Sequence, residues 1–187
     1  MNATIAVAAG DYAQPLSADT VRIERTLPGP IERVWAYLVD PELRALWLAT
    51  GDIEPRVGGR VEHVWHNNAL TDNDDPAPQK YAHIAEEARM QGRVTAFDPP
   101  RTLAYTWGEV EAESSEVRYE LTPQGEDVRL VLTHRRLASR AMLLSVAAGW
   151  HTHLDILVAR LEGATPEGFW RRHTRLESEY ARRLPDA

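Results

Sequence analysis

The chain has 187 residues, of which 43% are hydrophobic and 26% charged, the make-up of a single globular domain with one core. Cysteine is absent, which excludes disulfides, thiolate catalysis and cysteine-held zinc or iron–sulfur centres. The net charge of −7 opposes a phosphate backbone, so nucleic acid is not an expected partner.

Met1–Gly10 is small and apolar but lacks the basic start of a signal peptide, so residues 1–19 are expected to be a flexible tail and the compartment the cytoplasm. No apolar run approaches the ~18 residues of a bilayer span, and membrane insertion is not expected. From Thr20 to Leu27 the residues Val21, Ile23, Arg25 and Leu27 alternate with Arg22, Glu24 and Thr26, which predicts an edge strand ended by Pro28-Gly29-Pro30. A short helix follows on Ile31, Val34, Trp35 and Leu38. A second is capped by Asp40 with Pro41 in its first turn, and its predicted buried side is Leu43, Leu46 and Trp47. Gly58-Gly59, between Ile53–Val57 and Arg60–His66, predicts a tight hairpin.

Periodicity fails from Asn67 to Glu87, which reads as a mobile acidic loop. Its cluster Asp72-Asn73-Asp74-Asp75 lacks the glycine and distant glutamate of a calcium-binding loop. Strands resume at Arg89–Ala96, turn at Asp98-Pro99-Pro100, and continue through Arg101–Gly108, Glu116–Thr122 and, after Pro123-Gln124-Gly125-Glu126, Asp127–His134. The steps of four and three from Leu143 through Ala147, Trp150, Leu154 and Leu157 to Leu161 put six side chains on one face of a long helix. Thr165-Pro166 then predicts the start of a last helix with the stripe Phe169, His173, Leu176, Tyr180 and Leu184, covered by its own domain or by a second copy in a homodimer. Its arginines interleave with Glu177 and Glu179 as on a solvated face.

Splitting the strands by face predicts what meets the long helix. One face carries Val61, His63 and Trp65; Leu103, Tyr105 and Trp107; Val117, Tyr119 and Leu121; and Val128, Leu130, Leu132 and His134. The other carries Glu62, His66, Arg118, Glu120, Arg129 and Thr133. The inward face is apolar apart from phenol, indole and imidazole tips, which suits a ligand cavity; the alternative is that the aromatics simply fill the core.

Strand, two short helices, antiparallel meander and long C-terminal helix is an α+β order that resembles the helix-grip fold of the START-like (SRPBCC) superfamily. Pro30-Ile31-Glu32-Arg33-Val34-Trp35, Asp40-Pro41-Glu42-Leu43 with Trp47, Val57-Gly58-Gly59-Arg60, Asp98-Pro99-Pro100-Arg101-Thr102-Leu103 with Trp107, Leu130–His134, and Gly149-Trp150 with Leu154 are similar to the branch related to the activator of the 90-kilodalton heat-shock protein's ATPase. The resemblance spans residues 20–163, leaving 164–187 as a C-terminal helical extension. It implies a curved antiparallel sheet wrapped around the long helix, and between them a cavity of the kind the superfamily uses for lipids, hormones, polyketides and other apolar molecules.

The expected function is therefore binding of a small hydrophobic or aromatic ligand by His63, Trp65, Tyr105, Trp107, Tyr119, His134 and His151. A cyclase or dehydratase working in the same cavity is the alternative: His63, His134 and His151 would serve as acids or bases, and Tyr105, Tyr119 and Asp155 would orient a carbonyl. A third reading, implied by the branch, is a protein-interaction role as stimulator of a chaperone ATPase, with the chaperone as partner. No catalytic residue and no cofactor is assigned. No metal is assigned either, because His151 and His153 project about 200 degrees apart on a helix and cannot share an ion.

Overall fold

A computed structural model describes residues 12–72, 74–108 and 114–184. The strands are β1 (Gln14–Ser17), β2 (Thr20–Pro28), β3 (Arg60–Trp65), β4 (Ala88–Asp98), β5 (Thr102–Trp107), β6 (Ser115–Gln124) and β7 (Asp127–Arg135). The helices are α1 (Ile31–Val39), α2 (Pro41–Ala45), α3 (Ala82–Ala85), α4 (Arg140–Glu162) and α5 (Phe169–Arg183). All strands join one antiparallel sheet in the order β1-β2-β7-β6-β5-β4-β3. The fold is α+β and of the helix-grip type, as the resemblance implied.

The meander forms where alternation predicted it, and its inward face is the core: Val61, Leu103, Val117, Leu121, Val128, Leu130 and Leu132 are buried in one cluster with the apolar stripe of α4. Ser139 caps α4 by accepting the Met142 N–H, and Gly163 ends it with φ at 69°, a left-handed turn that a Cβ would strain. The stripe Leu143, Ala147, Trp150, Leu154, Leu157 and Leu161 is buried throughout. By length and composition α4 would suffice to cross a membrane, which the reading of apolar runs did not anticipate; 56% of that apolar window is buried within the fold.

Four local expectations are corrected. Part of the supposed tail is ordered: Gln14–Ser17 pairs with β2, and Ala13 is buried, while residues 1–11 lie outside the described residues. Ile53–Val57 is no strand; only Thr50 and Ile53 make isolated bridges, to Val64 and Val61. The glycine pair turns the chain without joining two strands, Gly59 N–H donating to the Arg56 carbonyl, and it also pairs with β4, since Gly58 N–H donates to the Val94 carbonyl and Val94 N–H to that of Gly59. A Cβ at Gly59 would lie 2.6 Å from the Glu54 carbonyl oxygen, so the close approach requires glycine. In α2, Leu46 is exposed and Arg44 takes the buried position.

The described residues of the segment 67–87 are tied down, contrary to the expected mobile loop, and its carboxylates explain how. Asp74 accepts the N–H groups of Trp170 and Arg171 at 2.8 and 3.1 Å, and Thr71 Oγ1 accepts that of Phe169 at 2.8 Å. These are the orphan donors of the first turn of α5, which starts at Phe169 rather than at the predicted Thr165-Pro166. Tyr81 and Lys80 both bind the Glu177 carboxylate at 2.6 Å, and Trp170 Nε1 donates to Asn68 Oδ1. The segment and α5 thus form one layer on the outer side of α4.

Candidate functional site

His63 on β3 and Tyr105 on β5 stand on either side of β4, and both project inward because their strands alternate in phase. His63 Nε2 lies 2.9 Å from Tyr105 Oη, which lies 3.0 Å from Tyr119 Oη on β6. This polar row runs through rings packed on rings: His63 contacts Trp65 and Trp107 at centroid distances of 5.3 and 6.2 Å, and Trp107 and Tyr119 meet Trp150 of α4 at 5.5 and 5.8 Å. His63 is 0% exposed and Tyr105 and Tyr119 are each 1% exposed, so no water-sized space adjoins them. The expected cavity at this place is filled by the aromatic side chains themselves; Trp107, at the rim, remains half-buried.

Burial sets the titration of the row. His63 is held well below the usual imidazole range, first by desolvation and then by the charge of Arg44, so it is neutral at pH 7. The Tyr105 and Tyr119 phenols are pushed up by burial. His63 Nδ1 finds no hydrogen-bond partner. Such an orphan costs about 1–3 kcal/mol of stability when buried, and packing alone does not call for it.

Arg44 is the residue that sequence reasoning missed. Its side chain turns under α1, where it donates to the carbonyls of Leu38, Val39 and Gly51. It is 1% exposed, and among the described residues no carboxylate pairs with it and its Nε–H has no partner. Its charge is near enough to act on His63, Tyr105 and Tyr119. An arginine in a polar-looking helix reads as solvated, and the one signal available was the shortness of α2, which leaves little outer face on which to place it.

His134 belongs to the same cluster but is satisfied on both sides. Trp150 Nε1 donates to its Nδ1 at 3.0 Å, so its proton lies on Nε2, 2.8 Å from Ser115 Oγ. Burial brings its pKa to about 3. This is a core histidine that orients Trp150.

His151 is not brought to the cluster. It faces the other side of α4, under α5, with Nδ1 2.9 Å from Tyr180 Oη and with Arg172 and Asp155 beyond. Asp155 there takes Arg25 at 3.1 Å and Arg172 at 2.7 Å, which removes it from any carbonyl-orienting role in the interior. His153 is separate again, donating from Nδ1 to the Trp47 carbonyl. The divergence of His151 and His153 matches their helical spacing. Among the described residues no group of three or more His, Asp or Glu side chains is placed to hold a metal ion.

Of the seven predicted ligand residues, six therefore converge: His63, Trp65, Tyr105, Trp107, Tyr119 and His134. The arrangement joins a neutral imidazole, two phenols in sequence and a buried guanidinium to apolar walls, which can orient an oxygen-bearing organic molecule or move a proton along the row.

Comparison with known proteins agrees with this architecture. A protein from Bordetella parapertussis, solved by NMR, is 44% identical with a TM-score of 0.76, and the match covers 92% of this chain and 90% of that one. CalU16 from Micromonospora echinospora is 22% identical with a TM-score of 0.65 over 89% of each chain. DynU16 is 19% identical with a TM-score of 0.58, over 79% of this chain and 49% of that one. No curated protein matches the chain. The sequence pattern of the activator of Hsp90 ATPase homolog 1-like proteins matches residues 28–162. The chain belongs to that family, within the START-like superfamily.

Proposed function

We propose that the protein binds a small hydrophobic or aromatic molecule between the sheet and α4, at the His63–Tyr105–Tyr119 row. The observation that carries this reading is the unpartnered Nδ1 of a fully buried histidine at the end of that row, in a wall of aromatic rings. A core built for stability alone gains nothing from such a group, whereas a ligand oxygen would satisfy it. Binding requires the rings to part, with half-buried Trp107 as the natural point of opening. DynU16, described as a protein in the dynemicin biosynthetic locus, shares the fold.

The imidazole–phenol row also favours a second reading, a cyclase or dehydratase in which the row runs the other way: with Nε2–H donating to Tyr105 and Tyr105 to Tyr119, neutral His63 would take a proton at Nδ1 and Tyr119 would polarise a carbonyl.

Tryptophan fluorescence during a screen of aromatic and acyl compounds tests the binding. The expected result is a saturable response from Trp65, Trp107 or Trp150, weakened about tenfold in affinity by Tyr105→Phe with the fold intact, since the phenol that holds the His63 ring, and with it the Nδ1 donor, is lost. Absence of any response across the screen rejects binding. Turnover of an enolisable ketone, abolished by His63→Phe, would establish the enzymatic reading.

A further inference from the structure

We propose that the bound molecule carries an anionic oxygen, a carboxylate, phenolate or enolate, received between the unpaired N–H groups of Arg44 and His63; this rests on the binding reading above. Both residues are more than nine-tenths buried and both leave a nitrogen without a partner. They are neighbours in the fold, since Arg44 donates to the Gly51 carbonyl and Gly51 lies against the backbone of Glu62, the residue before His63, and the charge of Arg44 acts on His63.

The hydrogen-bond count shows that both orphans are donors. Arg44 Nε is a donor by its chemistry. For His63, the arrangement with fewest losses has Tyr119 donating to Tyr105 and Tyr105 donating to Nε2, which leaves the imidazole proton on Nδ1. The reverse direction strands the Tyr119 proton as well as the Nδ1 lone pair. The tautomer is thus assigned from the network. Two buried donors and no acceptor call for an oxygen.

The charge calls for a negative one. Arg44 is bound only by the carbonyls of Leu38, Val39 and Gly51, and these occupy its two terminal nitrogens. That tie sets the guanidinium against the last carbonyls of α1, where a helix end favours a cation, and Asp52 and Asp40 act on it from a distance, but among the described residues no carboxylate is bonded to it and its Nε–H stays unused. A ligand oxygen carrying negative charge gains more from the two free donors than a neutral one does, because charge-assisted hydrogen bonds are the stronger and the site is already desolvated. The walls beside it, Trp65, Trp107 and Tyr105, supply the apolar remainder of the contact.

The test is calorimetry at pH 7.5 with two molecules of matched shape, 2-naphthoate and 2-naphthamide, on the wild-type protein and on the Arg44→Met and His63→Phe variants. The expected result is that wild type binds the carboxylate about tenfold or more tightly than the amide, as charge-assisted hydrogen bonds require. The preference should fall below about threefold in either variant while the amide still binds. Equal affinity of wild type for the two overturns the anion assignment and leaves ligand binding standing. Binding of neither overturns both. A preference that survives in the variants also overturns the assignment, because another group then selects the charge. If Arg44→Met does not fold, the wild-type ratio and His63→Phe decide the question.

Discussion

The hydroxyl of Tyr180, in the last turns of α5, lies 2.9 Å from Nδ1 of His151 in the middle of α4, and it accepts the N–H of Ala13 at 2.6 Å. One phenol thus ties the N-terminal segment and the C-terminal helix to the central helix. Tyr180 is 0% exposed, so neither partner has water to fall back on.

Replacing Tyr180 with Phe should cost about 1–3 kcal/mol, because two buried polar groups lose their partner while the ring packing is kept. Urea denaturation reads the loss, and amide exchange at Ala13 should accelerate. Unchanged stability with Ala13 still protected would show that α5 holds the N-terminus by packing alone.

Acid should destabilise the protein before its carboxylates titrate. Burial holds His134 at about 3 and His153 and His173 each at about 4, against roughly 6.5 in an unfolded chain. These folded values are depressed below the unfolded one, so between about pH 6.5 and 4 the unfolded chain binds protons that the folded one refuses. Stability is full above that window and falls with pH through it, by up to about 1.4 kcal/mol per unit for each histidine. Denaturation at pH 7.5, 6 and 5 should show a loss of several kcal/mol; a flat profile would mean that these imidazoles become solvated on protonation without disturbing the core.

Asp74→Ala removes the acceptor for the first-turn N–H groups of α5 and the N–H of Asp75. A lost N-terminal cap costs about 0.5–2 kcal/mol. The segment 67–87 should then be cleaved by protease in native buffer, where the wild type resists. Equal resistance of the two would place the anchorage in Tyr81 and Glu177 instead.

Leu154 is 0% exposed at the centre of the α4 stripe. Leu154→Asp puts an unpaired carboxylate against the sheet and should cost several kcal/mol, enough to unfold a domain of ordinary stability. Wild-type thermal stability in this variant would refute the packing of α4 on β2 and its neighbours.

The sequence by itself determined the meander strands, the long helix and the face of each that meets the core. Val117 and Tyr119 had to share a face, as did Leu154 and Leu157, because a strand repeats every two residues and a helix every 3.6. The approach of strand faces to the long helix followed from there, and with it the gathering of His63, Trp65, Tyr105, Trp107, Tyr119 and His134. What only the tertiary structure decided is which polar atoms meet. Arg44, which periodicity did not single out, lies buried against the end of α1. His151 looked inward and turned to Tyr180, because α4 is buried on two sides and periodicity cannot say which layer covers which. Asp74 looked like part of a loose acidic loop and caps a helix nearly a hundred residues away in the chain. Periodicity is a property of neighbours along the chain, whereas pairing, desolvation and charge balance depend on groups brought together across it.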